Sequence, residues 1–126
     1  MSKIISLVQY DHDNEKLYED NSELIDWAYI SEDLINIISE SIDTVIIYED
    51  NNSDEYFEID CINNIEKNIK LFEDKFLEFL KDNNLKNHEN ISQSIDLFRT
   101  LTNVHYIFCL KNKNFRNNDN VLIKIG

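Results

Sequence analysis

Glycine is almost missing from this chain of 126 residues: its single example is Gly126. A phosphate-cradling loop needs glycine, because backbone N–H groups reach the anion in conformations that other residues avoid. Walker A and dinucleotide-binding fingerprints are therefore excluded, as is the GxSxG nucleophile elbow. P-loop NTPases, dinucleotide-dependent oxidoreductases and α/β-hydrolases go with them. Cysteine is nearly as scarce. Cys61 and Cys109 form no CxxC pair and have no histidine at ligand spacing. Both are expected to be reduced, small apolar residues, with neither a disulfide nor a zinc site. Long apolar runs are missing too, since no stretch approaches the roughly 18 uncharged residues of a membrane span. Ile4–Val8 is a short apolar run that soon meets Asp11 and Asp13 and has no small-residue cleavage site. It is expected to be a strand, not a signal-peptide core, in a cytoplasmic protein.

Positive charge is lacking in one half only. Residues 1–60 hold 17 of the 25 carboxylates against Lys3 and Lys16, a net of −15; residues 61–126 hold the other 8 against 10 Lys and Arg, a net of +2. The high count of Ile and Asn, with one Ala and no Pro, fits a genome poor in G and C. That bias favours Lys as well, so it leaves the acid excess unexplained. Lopsided charge describes field and partners, not fold. Phosphate neutralisation needs clustered cations. Only Lys111, Lys113, Arg116 and Lys124 gather, and they are expected in a C-terminal hairpin, as an edge whose lysines discourage sheet-to-sheet pairing. Direct nucleic-acid binding is not expected.

At this length and with 42% hydrophobic residues, the chain is expected to form one domain, 1–126, with a real core. Ile4–Val8 reads as a strand and Asp11–Glu23 as a polar acidic loop anchored by Leu17 and Tyr18. Ser31 suits an N-cap, with Glu32 and Asp33 in the first turn and Ile30 and Ile35 as a staple. Thr44–Tyr48 is a β-branched strand, Asp50–Asp54 a turn, and Tyr56, Phe57 and Ile59 belong to a paired strand. Ile62, Ile65, Ile69, Phe72, Phe76, Phe79 and Leu80 recur at helical steps and predict a long helix over 62–82. A further helix is expected over 91–101, then a strand over 104–110 in a hairpin with Val121–Ile125. The order predicts an α+β fold: a small mixed or mostly antiparallel sheet of about five strands, with about three helices mainly packed on one face. A small three-layer α/β arrangement is the alternative.

Constellations with chemistry are weak. Asp11-His12-Asp13 puts an imidazole between two carboxylates after a strand, but adjacent residues point in different directions and chelate one ion poorly. His88 falls in a polar linker and His105 in a strand pattern, neither with a sequence partner. Asp50-Asn51-Asn52-Ser53-Asp54 opens like a calcium loop, yet Glu55 and Cys61 stand where the EF-hand demands Gly and Glu. Glu58-Ile59-Asp60 lacks the Lys of a metal-dependent nuclease motif. No catalytic, cofactor-binding or metal-ligating residue is nominated.

What remains is diffuse. The acidic half also holds Trp27 and five of the six tyrosines: Tyr10, Tyr18, Tyr29, Tyr48 and Tyr56. Carboxylates steer a basic partner and rigid amphipathic rings hold it. The expected partner-binding set is Asp11, Asp13, Glu15, Tyr18, Glu19, Asp20, Glu23, Asp26, Trp27, Asp50, Asp54 and Glu55. In size, acidity and lack of catalytic motifs the chain resembles the immunity proteins that bacteria make against their own nuclease toxins. The likeness is one of type, and no family residues carry over. It implies a non-enzymatic inhibitor that occludes the cleft of a basic toxin or nuclease, without cofactor or membrane. Two other classes fit the same sequence: a small metal-dependent enzyme using the 11–23 loop and His12, and an oligomerisation module whose acidity serves solubility.

Overall fold

Apolar residues sit at both parities of β1 (Lys3–Asp13) and β5 (Val121–Ile125), and two cores result. Ile5 and Leu7 of β1 and Val121, Ile123 and Ile125 of β5 join the larger core. Val8 and Tyr10, with Leu122, project to the opposite side and join the smaller one. Successive strand residues alternate faces, so one sheet serves both. The structure is a computed structural model that describes residues 3–81 and 91–126. The remaining elements are β2 (Lys16–Ile30), α1 (Glu32–Ile37), a 3-10 turn (Ser39–Ser41), β3 (Ile42–Tyr48), β4 (Tyr56–Ile62), α2 (Ile65–Lys81) and α3 (Ile91–Asn114).

The fold is α+β, and its five strands close into a barrel in the order β1-β2-β3-β4-β5. β1 lies antiparallel to β2 and β5, and β4 antiparallel to β3 and β5. β2 and β3 run parallel and meet through the single pair Tyr18–Tyr48. Ile47, Ile59 and Cys61 of the β3–β4 hairpin close over Tyr10 to make the smaller core. Leu34 and Ile38 around α1, Phe72 of α2, and Leu101, Val104, Ile107 and Phe108 of α3 build the larger core on β1, β2 and β5. Phe72 and Phe108 are fully buried with ring centroids 5.3 Å apart, each burial stabilising the fold by about 1.5–3 kcal/mol. No helix among the described residues is long and apolar enough to cross a membrane.

Several expectations are corrected. Asp11–Glu23 is not a loop but the paired ends of β1 and β2, in register through Asp11–Tyr18, His12–Leu17 and Asp13–Lys16. Charged residues on the outward positions hide its strand periodicity. The segment Val104–Leu110 is helical, part of α3, because Leu101, Val104, Ile107 and Phe108 recur at three- and four-residue steps and are all buried. Its β-branched content suggested a strand, and tertiary packing overrode that preference. β5 therefore pairs with β1 and β4 rather than with 104–110. Lys111 and Lys113 lie in the last turn of α3. The Lys111 ammonium donates to the carbonyls of Phe115 at 2.8 Å and Asn118 at 2.9 Å, capping the helix end as a cation should. Burial lowers the pKa of that ammonium, Asp119 acting in the opposite direction.

Ser31 does stand at the N-cap, yet only its carbonyl serves, accepting from the N–H groups of Leu34 and Ile35. Ile62 ends β4, so the long helix begins at Ile65; Leu80, at 65% exposure, is not part of the core. Asp82 and His88 lie outside the described residues.

Candidate functional site

Two hairpin tips meet at one end of the barrel. The first is closed by Asn14 and Glu15, with φ of 49° and 68°. Two successive left-handed residues make the turn whose twist matches the flanking strands. Asn tolerates that conformation readily and Glu does not. The second tip is organised by Asp50, whose carboxylate accepts the Asn52 N–H at 2.8 Å, and by Ser53, whose hydroxyl accepts the Glu55 N–H at 3.0 Å. Such local bonds let Asp and Ser build turns without glycine. The Glu49 N–H donates to the Glu55 carbonyl at 3.1 Å.

The tips are joined by backbone and by rings. The Asp20 N–H donates to the Glu49 carbonyl at 2.9 Å. The Tyr18 ring lies tilted 6.3 Å from that of Tyr48, which lies 5.9 Å from Tyr56. The Lys16 ammonium sits 4.8 Å above the Tyr48 ring, a cation–π contact. Tyr18 is buried at 8% exposure and Tyr56 is open at 59%. An open recess forms between the tips, lined by Asp11, His12, Asp13, Tyr18, Asp20, Asn21 and Asn51. In a neighbouring hollow the Tyr10 N–H donates to the Asn120 carbonyl at 2.8 Å, and the Asn120 amide returns a bond to the Tyr10 carbonyl at 2.9 Å. The Tyr10 hydroxyl is pushed upward in pKa by burial, then by Glu19 and Cys61. Burial also pushes the Cys61 thiol up to about 12, so this cysteine is inert rather than nucleophilic.

Of the expected partner-binding residues, Asp11, Asp13, Tyr18 and Asp20 share the recess. Asp50, Asp54 and Glu55 belong to the second tip, which Asn51 brings to the same recess. Glu15 faces a neighbouring hollow with His12, Leu17, Asp119 and Asn120, and Glu23 another with Gln9, Tyr10 and Asn21. Glu19 is exposed beside Asp20. Asp26 and Trp27 lie farther along β2, away from the tips. Sequence reasoning passed over Glu49, whose carboxyl is held above its ordinary range chiefly by the charge of Glu55, with a smaller contribution from Asp50. Its signal was available: Glu49 directly follows the Tyr48 that ends β3.

Ion pairs among the described residues lie elsewhere: Lys67–Glu40, Lys75–Glu78, Arg99–Asp96, His105–Glu73 and Arg116–Glu66. The His105 imidazole therefore belongs to α3, within 3.5 Å of Glu73 and edge-on to Phe76, and not to a strand. Among the described residues no group of three or more His, Cys, Asp or Glu is arranged to hold a metal ion. Compared with family models, with curated proteins and with solved structures, the chain matches none.

Proposed function

We propose that this is a non-enzymatic acidic binding protein, comparable in kind to an immunity protein, which neutralises a basic toxin or nuclease in the cytoplasm by occluding its active cleft. One observation supports the reading above the others. Carboxylates from two hairpins, Asp11, Asp13 and Asp20 with Asp50 and Glu55, converge where the tips meet, and no Lys or Arg among the described residues lies within ion-pair distance of them. Like charges held together oppose folding, and an incoming cation relieves that opposition. The rings of Tyr48 and Tyr56 add contact area of the kind that dominates binding energy. The helices contribute to the larger core with β1, β2 and β5, and the tips at the end of the barrel are the part that would enter a cleft.

The test compares the wild-type protein with a variant carrying Asp11→Asn, Asp13→Asn, Asp20→Asn and Glu55→Gln, each immobilised and exposed to host extract at low and high salt. The expected outcome is a basic protein held by the wild type alone and released as salt rises, since steering is worth ten- to a thousandfold in rate at low ionic strength. Equal retention by both proteins, or retention indifferent to salt, removes the acidic tips from the function.

A further inference from the structure

The β2 strand outruns its neighbour. β3 forms a ladder pair with it only at Tyr48, and the last backbone bond between them ends on Asp20, so among the described residues the later part of β2, from Glu23 to Ile30, pairs with β1 alone. The direction of the free backbone groups follows from the register. The Ile4 carbonyl accepts from Gly126 and the Tyr10 N–H donates to Asn120, so even-numbered residues of β1 turn their backbone towards β5. Their cross-strand partners, Trp27 opposite Ser6 and Tyr29 opposite Ile4, must then turn theirs away from β1, to the open edge. A local contact agrees: the Trp27 N–H is taken by the neighbouring Asp26 carboxylate at 2.8 Å.

Side chains along this edge are sorted by face. Leu24, Trp27 and Tyr29 stand opposite Val8, Ser6 and Ile4, on the side away from the larger core. They are 56%, 46% and 58% exposed, and the two rings meet edge to face at 5.1 Å. Glu23 and Asp26, opposite Gln9 and Leu7, take the other face. The exposed apolar side chains thus share one face of the edge, and the two carboxylates stand on the other, where Ala28 and Ile30 continue into the larger core.

We propose that this edge receives an extended cationic segment of the partner as an added strand. Apolar side chains of the segment pack on Leu24, Trp27 and Tyr29, and alternating Lys or Arg meet Glu23 and Asp26. Main-chain bonds supply affinity and the alternation supplies specificity. A second copy of this chain fits poorly, because it would bring another net charge of −13 against the same acids. The inference rests on the cationic partner proposed above, but adds a geometry that fails separately.

The probes are peptides of about eight residues, a normal strand length. One alternates lysine and valine, two more are N-methylated on all lysines or on all valines, and a fourth replaces lysine by serine. Trp27, the chain's only tryptophan, reports binding by fluorescence, and amide exchange reports the edge. The lysine–valine peptide is expected to bind and to slow exchange at Tyr29, and at Trp27 as its N–H passes from the Asp26 carboxylate to the added strand. Methylating one residue set should weaken it by about tenfold or more through lost N–H donors, whereas the other set points to solvent and should not matter. Equal binding by both methylated peptides, without amide protection, overturns the added strand and leaves cationic recognition standing. No binding by any cationic peptide at low salt overturns both. Equal protection by the serine peptide overturns the cationic occupant alone. Protection that rises with protein concentration in the absence of peptide assigns the edge to a second copy and overturns the proposal.

Discussion

Tyr18 and Tyr48 form the only ladder pair between β2 and β3, and their rings stand 6.3 Å apart at an interplanar angle of 53°. Closure of the barrel on that side thus depends on one backbone pairing, one adjoining bond from Asp20 to Glu49, and the contact between two rings. The same pair holds the acidic tips together, so packing and the proposed recognition meet at this point.

Replacing Tyr48 by alanine should therefore loosen the tips before it unfolds the protein. A loss of about 1–2 kcal/mol is expected from the ring contacts to Tyr18 and Tyr56. Amide exchange at Asp20 should accelerate more than exchange in α3. If Asp20 exchanges at the wild-type rate, the tips are held by something other than the ring pair.

The Glu49 and Glu55 pair should leave a mark on the pH dependence of stability. Glu55 raises the Glu49 carboxyl above its ordinary value of 4.5. A carboxyl with a folded pKa above its unfolded one opposes folding when ionised. The cost is nil below the unfolded value and complete above the folded one, so stability due to this pair falls as pH rises through that window. Urea midpoints of wild type and Glu49→Gln, followed from about pH 4 to pH 7, should diverge with rising pH in favour of the variant. The gap should narrow in salt, as it does for exposed charges. A constant gap across the range would rule the repulsion out.

Helix and strand readings of 104–110 assign opposite fates to two neighbours. The helix buries Ile107 and leaves Tyr106 at 53% exposure, whereas a strand that buried Val104 would bury Tyr106 and expose Ile107. Ile107→Ala is expected to cost about 2–5 kcal/mol and Tyr106→Ala within about 0.5 kcal/mol. Chemical denaturation of the two variants decides; the reverse order would restore the strand.

Those two residues also show where sequence was legible and where it was not. α2 was readable because Ile65, Ile69, Phe72, Phe76 and Phe79 mark one stripe, with Lys and Glu opposite. The β3–β4 hairpin was readable because β-branched residues flank a run of Asp, Asn and Ser. The first part of α3 was readable over 91–101, but its continuation was not, because Val104, Tyr106 and Ile107 favour strands locally and packing on Phe72 and β2 makes them helical. The β1–β2 tip was hidden for a different reason: its outward residues are acidic and its turn uses Asn14-Glu15 where Asn-Gly would have announced a hairpin. The acidic residues themselves were in plain view. That two hairpins bring them together was not, since the Tyr18–Tyr48 meeting spans 30 positions of chain.

Glu15 holds a left-handed backbone that glycine would adopt without strain, and the chain keeps a carboxylate there at a conformational cost of about 1–2 kcal/mol. Glycine would relax the turn and lose the anion, whereas aspartate would ease it and keep the charge on a shorter stem. A glycine at position 15 would steady the hairpin while removing one negative group from that tip, so durability and the proposed recognition pull the same side chain in opposite directions.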